Sequence, residues 1–311
     1  MIWIIGAGGI AREYAKVLKA LGREFICIGR GEQTAKEFEE VTGVKAMLGG
    51  LDKFLPTKPD IPEAAIVAVN EKSHVATNIA LMQYGVKRIL CEKPGFFVPE
   101  EIEEAEKIRE ECNAEVYLAY NRRFFAATIA AEKVIEEDGG LLSFNFEFTE
   151  WAHIFDNMDI AKEDLAYLFF ANSTHVVDLA FFLGGNPIEI SCYAKDANLW
   201  HKPINFAGAG RTDKDVLFSY NANWNAPGRW AVELLTAKHR IYLKPMEQLQ
   251  LQDKGSVKIY PFEIDDHLDK EFKPGFYLET KAFLEGKTAR LCSLGQQVEH
   301  VNNIYKKMAK R

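Results

Sequence analysis

The sequence has few of the features that would tie a protein to a metal, a membrane or a nucleic acid. Its 5 cysteines among 311 residues are scattered without metal-ligand spacing, so we expect reduced thiols and no metal site. The formal net charge is −7 at pH 7 and there is no basic arm, which does not favour nucleic acid. No apolar run reaches the roughly 20 residues of a membrane-spanning helix. The chain opens directly on an apolar strand, so we expect no signal peptide and a cytoplasmic protein.

What the sequence does contain is the composition of a globular protein, with 48% hydrophobic and 27% charged residues. A chain of this length is long enough for two domains, each with its own core. In the first part of the chain, short apolar strands alternate with amphipathic helices, most of which end at glycine. This alternation predicts an α/β dinucleotide-binding (Rossmann) domain over residues 1–120, a doubly wound parallel sheet covered on both faces.

After residue 120 the strands follow one another and alternate apolar with polar residues, separated by Gly, Pro and Asn turns. The expected strands are 141–151, 215–224, 229–238, 241–252 and 256–264. After a helix at about 124–137, three more helices are expected to cover one face, at about 163–183, 266–285 and 293–310. The pattern predicts an α+β domain over 121–311, built on an open-faced, mostly antiparallel sheet.

The segment IWIIGAGGIA joins the first strand to the first helix and carries the pattern G-x-G-x-x-G/A. The first glycine permits a tight turn, the second lets the backbone approach a pyrophosphate, and the small Ala11 lets the helix pack on the strand. The helix N-terminus offers free N–H groups to the phosphates. The residues expected to contact a dinucleotide here are Gly6, Ala7, Gly8, Gly9 and Ile10.

The end of the second strand indicates which dinucleotide is bound. An NAD site places an acidic residue there for the ribose hydroxyls, but this sequence has Gly29 and Arg30. The glycine leaves room for a 2′-phosphate, and a guanidinium can pair with that phosphate or stack on adenine. We therefore expect NADP, with NAD as the alternative, and a solvated loop arginine as the alternative role for Arg30.

Two later strand ends are expected at the same edge of the sheet. Val69 and Asn70 follow the strand AAIVAV, where backbone groups would line the ribose, and His74 opens the next helix. By itself a histidine at a helix start is more often an ordinary surface residue.

The stretch CEKPGF follows the next strand and contains Glu92, Lys93 and Pro94. Pro94 fixes its own φ and keeps Lys93 out of the helical region, which holds the lysine in an extended turn. The positive ring of an oxidised nicotinamide would disfavour the charged lysine, lower its pKa and suit it to proton transfer. We expect Glu92 to orient the loop or the nicotinamide.

A further candidate lies in the stretch FFANSTHVVDLAFFLGG of the second domain. His175 and Asp178 are three residues apart and share a helix face among bulky apolar residues. Facing a cleft, this histidine could relay a proton; otherwise it would be a hydrogen-bonded core residue.

Together these motifs resemble the Gfo/Idh/MocA oxidoreductases, named for glucose–fructose oxidoreductase and inositol dehydrogenase. The resemblance rests on IGAGGIA, the histidine upstream of CEKPG, YNRRF at 120–124 and THVVDLAFFLGG at 174–185. It implies hydride transfer between a nicotinamide and a sugar, or a sugar derivative such as a nucleotide sugar. Lys93 and His175 would be catalytic, and the small-molecule carbohydrate would also meet Asn121, Trp151 and Asn172, with Asn121 near the cofactor too.

The resemblance also has a departure and leaves alternatives open. Family members commonly carry Asp four residues before the histidine, where this chain has Ala171. That loss keeps open a non-catalytic NADP-binding regulator or scaffold, and a reductase of imine or biliverdin type on the same fold is a third possibility. Further sugar-contact candidates are His153, Trp200, His201, Arg211 and Trp224. The family also implies a homodimer or homotetramer formed through the C-terminal sheet.

Overall fold

A computed structural model describes residues 1–155, 158, 160–196 and 203–310. The chain forms two compact units. The first contains Met1–Asn121 and Leu268–Glu299, and the second contains Arg122–His267 and His300–Arg311. Residues 268–299 thus return to the first unit, a return that a single boundary near residue 120 does not include.

The first unit is built on a seven-stranded sheet. Its strands are β1 (Ile2–Ile5), β2 (Phe25–Ile28), β3 (Ala46–Met47), β4 (Ala64–Val67), β5 (Arg88–Glu92), β6 (Glu115–Ala119) and, far along the chain, β15 (Cys292–Ser293). They lie in the order β15-β6-β5-β4-β1-β2-β3, and all pairs are parallel except β15 with β6. The order reverses between β1 and β4, which is where a doubly wound sheet binds its ligand. The predicted Rossmann sheet is confirmed.

Amphipathic helices cover this sheet because their apolar faces need burial. They are α1 (Gly9–Ala20), α2 (Glu32–Thr42), α3 (Gly50–Phe54), α4 (His74–Tyr84) and α5 (Ile102–Glu111). The returning segment adds α10 (His267–Glu271) and α11 (Phe276–Leu284). The ring centroids of Phe276 and Tyr14 lie 4.8 Å apart, so α11 packs on α1. The helix expected at about 266–285 therefore packs within the first unit.

The second unit is built on an eight-stranded sheet. Its strands are β7 (Ser143–Glu147), β8 (Pro187–Lys195), β9 (Asn205–Thr212), β10 (Leu217–Asn223), β11 (Ala231–Leu235), β12 (His239–Leu243), β13 (Gln250–Asp253) and β14 (Ile259–Pro261). Their order is β14-β13-β12-β11-β7-β10-β9-β8, and only the pair β7–β10 is parallel. The predicted mostly antiparallel sheet is confirmed.

The helices described in this unit are α6 (Ala126–Glu137), α7 (Ala152–Phe155), α8 (Lys162–Leu165), α9 (Thr174–Gly184) and α13 (Lys306–Ala309), and α12 (Leu294–His300) ends at its boundary. A π-helical turn, Phe169–Ser173, runs directly into α9. Phe181 of α9 packs edge-on against Phe144, Phe146 and Phe218, which places the core between α9 and the sheet. Across the described ranges, no helix is long and apolar enough to cross a membrane.

Candidate active site

The glycine loop between β1 and α1 has the geometry of a dinucleotide site. Gly6 has φ +110, and a Cβ there would lie 2.3 Å from the carbonyl oxygen of Ala68. A Cβ at Gly8 would meet nothing within 4 Å, so the protein itself does not require glycine at that position. The first turn of α1 has no acidic residue and no side-chain cap, which leaves its N–H groups available to an anion. These residues fit a dinucleotide pyrophosphate.

The end of β2 places Arg30 on the surface beside Asp52. Their side chains are 75% and 81% exposed, and Arg30 Nη2 donates to Asp52 Oδ2 over 3.3 Å. A Cβ at Gly29 would lie 2.9 Å from the Cβ of Ala7. Packing against the glycine loop therefore accounts for Gly29, and room for a phosphate is not needed to explain it. A role for Arg30 toward a 2′-phosphate stays a prediction.

The turn that carries Lys93 is fixed by a glutamine from the returning segment. The Lys93–Pro94 peptide bond is cis. Gln297 Nε2 donates to the Pro94 carbonyl oxygen over 2.9 Å and contacts the Tyr120 hydroxyl at 2.8 Å. Gly95 has φ +87, and a Cβ there would lie 2.3 Å from Leu118 Cδ1. The turn is thus closely packed onto β6 while Lys93 itself is half-buried.

Next to Lys93, Glu92 accepts a hydrogen bond from the buried Tyr14 hydroxyl over 2.8 Å. Burial raises the pKa of the Glu92 carboxyl, while the bond from Tyr14 and the charge of Lys93 oppose that rise. Burial, together with the neighbouring Glu92 charge, raises the pKa of Tyr14 well above its usual value. Glu92 is thus held through the Tyr14 hydroxyl at the position directly before Lys93.

His74 is only 1% exposed, and its Nε2 lies 3.2 Å from the Val69 carbonyl oxygen. Burial lowers its pKa to about 4, so the ring is neutral at physiological pH and donates from Nε2 to that carbonyl. His74 is therefore a buried residue that holds the backbone just after β4. Asn70 is exposed at this edge and accepts from the Ser73 hydroxyl over 3.1 Å.

Asn121 follows β6 and is 6% exposed. Its Nδ2 donates to the Pro274 carbonyl oxygen over 2.9 Å, which ties the end of β6 to the returning segment. A role for Asn121 toward cofactor or substrate stays a prediction.

In the second unit, His175 lies against a cluster of tryptophans and arginines. Its ring centroid is 5.9 Å from that of Trp230, and His175 is 8% exposed. The Arg229 guanidinium lies 4.5 Å from the Trp230 ring and 4.8 Å from the Trp151 ring, and Arg122 lies 4.7 Å from the Trp230 ring. Trp151 is 43% exposed, with Nε1 donating to the Gly228 carbonyl oxygen over 2.8 Å. This aromatic–cationic surface can stack on a ligand and pair with its charge.

A fully buried carboxylate lies behind this surface. Glu150 Oε1 accepts from the Ser173 hydroxyl over 2.7 Å, and Oε2 accepts from Asn172 Nδ2 over 3.0 Å and from Arg229 Nη1 over 3.3 Å. Burial raises the pKa of Glu150, and these donors oppose the shift. Asn172 and Ser173 directly follow Ala171, so a carboxylate reaches this turn from another element.

Asp178 is not part of that surface. Arg123 Nε and Nη2 bind its two oxygens over 2.8 and 2.5 Å, and both side chains are at most 2% exposed. In such a buried bidentate pair each group compensates the charge of the other, so both are needed for stability. His175 therefore cannot rely on Asp178 as a dedicated proton partner.

The predicted site residues fall into two sets, because Lys93 lies in the first unit and His175 in the second. Arg211 forms surface pairs with Glu189 and Asp215, and Trp224 is 2% exposed and packs on Phe206. Trp200 and His201 lie outside the described residues. The sequence reasoning missed Tyr14, Glu150, Trp230 and Gln297, and no local motif marks any of them.

Comparisons with known proteins agree with this geometry. Residues 1–120 match the sequence model of the Gfo/Idh/MocA family, described as an oxidoreductase family with an NAD-binding Rossmann fold. No curated protein matches the chain significantly. A levoglucosan dehydrogenase solved with NADH is 17% identical with a TM-score of 0.77, and the alignment covers 99% of this chain and 95% of that one.

Two further solved structures have the same fold over nearly their whole length. One is an oxidoreductase from Agrobacterium radiobacter in complex with NAD+, L-tartaric acid and magnesium, at 15% identity and a TM-score of 0.75, covering 99% of this chain and 96% of that one. The other is a UDP-N-acetylglucosamine 3-dehydrogenase from Acidithiobacillus ferrooxidans, at 15% identity and a TM-score of 0.72, covering 99% of this chain and 97% of that one.

Residues 1–120 thus match the NAD-binding Rossmann domain of an oxidoreductase family. The resemblance to the Gfo/Idh/MocA family is confirmed over residues 1–120, and a solved structure shares its fold with nearly the whole chain. The prediction of an NAD(P)-dependent oxidoreductase is confirmed, because the matched family is an oxidoreductase family with an NAD-binding fold.

Proposed function

We propose that the protein is an NADP-dependent dehydrogenase or reductase acting on a CH–OH group of a sugar derivative, with Lys93 as acid/base. The observation that carries this proposal is the turn of Lys93. It follows β5 at the edge where the glycine loop opens, and Gln297 and Gly95 hold it there. Sugar dehydrogenases among the structures of the same fold support the substrate class.

In the oxidation direction, the bound nicotinamide supplies the acceptor for the hydride that leaves the alcohol carbon. Lys93 Nζ takes the hydroxyl proton as the carbon becomes a carbonyl, and it returns that proton in the reverse direction. Glu92, bound by the Tyr14 hydroxyl, holds the end of β5 directly before this acid/base. A role for His175, which lies in the second unit, as a hydrogen-bond donor to a substrate stays a prediction. Orientation of the substrate against these groups supplies much of the rate enhancement.

The preference for NADP rests on Arg30. We expect Arg30→Gln to weaken NADPH binding about 10- to 100-fold, the effect of losing a charged hydrogen bond, while NADH binding changes little. Asp52→Asn should act in the opposite direction, because it frees the guanidinium and removes a negative charge that repels the phosphate. Titration of both nucleotides against the three proteins by protein fluorescence gives the dissociation constants.

The Asp52 variant is also the control for nonspecific loss of structure, since it alters the same exposed pair. Tighter binding of NADH than of NADPH by the wild type, unaltered in Arg30→Gln, would show that NAD is the cofactor.

We further propose that the substrate carries an anionic group, such as a phosphate or carboxylate, that pairs with Arg229. Its guanidinium is 44% exposed and is held between two indole rings, which limits the entropy it loses on binding. Arg229→Gln should raise KM about 10-fold or more with kcat little changed. Arg211→Gln is the matched control, because that arginine is similarly exposed but pairs with two carboxylates, whereas Arg229 pairs with the single carboxylate of Glu150. Equal KM values for the two variants would contradict the proposal.

A regulator or scaffold that only binds NADP is the second candidate, and Ala171 is the observation that favours it. Purified protein, NADPH and a panel of keto-sugars and sugar nucleotides separate the two functions. Tight NADPH binding without turnover of any member would favour the regulator. The homo-oligomer formed through the C-terminal sheet stays a prediction.

A further inference from the structure

Glu150 is a buried charge that the proposed chemistry does not use. It lies three residues beyond β7, and it is 0% exposed. A carboxylate withdrawn from water is costly unless several donors satisfy it, and removing its partners leaves an uncompensated charge. A position that only filled the core would more often hold an apolar residue. The carboxylate therefore calls for a role that an apolar side chain could not perform.

The partners of Glu150 indicate that role. Its two oxygens take three donors, from Asn172, Ser173 and Arg229. Ser173 is buried, so its bond anchors the carboxylate to the π-helical turn. Asn172 is half-buried and the Arg229 side chain is 44% exposed, so both side chains reach the surface of the unit.

Asn172 and Arg229, which both reach the surface, lie close to His175 and the aromatic–cationic surface around it. Asn172 precedes His175 by three residues, and the Arg229 guanidinium covers the ring of Trp230, against which His175 packs. A single acceptor therefore sets the direction of an amide and of a guanidinium around one histidine. A π-helical turn at this place is consistent with a site, because such turns occur frequently at functional positions.

We infer that Glu150 is a positioning residue for substrate binding: it holds the Asn172 amide and the Arg229 guanidinium in the orientation that the substrate meets. The inference rests on the proposed function. Glu150 has no exposed atom to offer a substrate, so it acts through these two side chains. It also brings to this turn a carboxylate that Ala171 does not provide.

Glu150→Gln is the variant that tests the inference, because it keeps the shape of the side chain and turns one acceptor into a donor facing donors. We expect KM to rise about 10- to 100-fold with kcat reduced less, since charge-assisted hydrogen bonds have this strength. Glu150→Asp retains the charge and should recover part of the loss. Glu233→Gln, which alters a glutamate on β11 that pairs with Arg240 of β12, should leave KM unchanged.

A second measurement needs no turnover. Crystal structures of the wild type and Glu150→Gln should show that the Asn172 and Arg229 side chains adopt new orientations in the variant. Unchanged KM, or unchanged orientations of both side chains, would overturn the inference and leave the proposed function intact. A wild type that turns over no substrate would sink the proposed function, and the orientations alone would then decide whether Glu150 positions these groups.

Discussion

Lys93→Ala should lower kcat/KM by about 10²- to 10⁴-fold, the usual contribution of a positioned acid/base. Nucleotide affinity and thermal stability should change little, because Gln297 binds the Pro94 carbonyl and Gly95 packs on Leu118, and both contacts remain in the variant. Steady-state kinetics, nucleotide titration and thermal melting of the same preparation give the three quantities. Lys93→Arg should not restore activity, since a guanidinium does not release its proton in the working pH range.

Lys87→Ala is the matched control for this variant. Lys87 immediately precedes β5 and Lys93 immediately follows it, so the two lysines stand at opposite ends of one strand. Lys87 is exposed, and its Nζ donates to the Cys112 carbonyl oxygen over 2.5 Å. Activity that survives the loss of Lys93 but keeps its dependence on NADPH would point instead to a reductase of imine or biliverdin type.

The sheet of the first unit could be predicted because its strands other than β3 and β15 are apolar runs that adjoin a helix. The strands β8 and β9 were not predicted, and the reason is visible in β9. Glycine is typical of turns, yet Gly208 and Gly210 lie inside the strand. A Cβ at Gly208 would meet the Tyr220 ring at 2.3 Å, and one at Gly210 would meet the Glu189 carbonyl oxygen at 1.9 Å. These glycines allow neighbouring strands to approach closely. Which strands are neighbours depends on the pairing in the sheet, and the sequence of one segment does not show that pairing.

The candidate site residues also divide into those marked by a local sequence pattern and those that depend on tertiary contacts. The glycine loop and CEKPGF are local patterns whose chemistry follows from the strand that precedes them, so they could be found in the sequence. Gln297 lies 203 residues from the Pro94 carbonyl it binds, and Glu150 lies 22 residues from Asn172. A glutamine in a helix and a glutamate after a strand have no distinctive spacing. Only the tertiary fold of each unit brings Gln297 to the turn of Lys93 and Glu150 to Asn172.

The glycine loop provides the second large effect, since Gly8 and Gly6 are glycine for different reasons. Gly8 has φ −77 and ψ −171, which any residue can adopt, and its Cβ would meet nothing within 4 Å. Gly8→Val should therefore leave the melting temperature nearly unchanged. Its side chain would fill the approach of the pyrophosphate to the N-terminus of α1, so we expect nucleotide affinity to fall about 100-fold or more, as for the loss of several phosphate hydrogen bonds.

Gly6→Ala tests the opposite case within the same loop. A non-glycine residue at φ +110 is strained, and its Cβ would lie 2.3 Å from the Ala68 carbonyl oxygen. Strain and overpacking together should cost about 2–4 kcal/mol of unfolding free energy, so the melting temperature should fall in the absence of nucleotide. Differential scanning calorimetry with and without NADPH separates the two variants: NADPH should stabilise Gly6→Ala in part and should not stabilise Gly8→Val. Stabilisation of Gly8→Val equal to that of the wild type would mean that the dinucleotide does not lie against this loop.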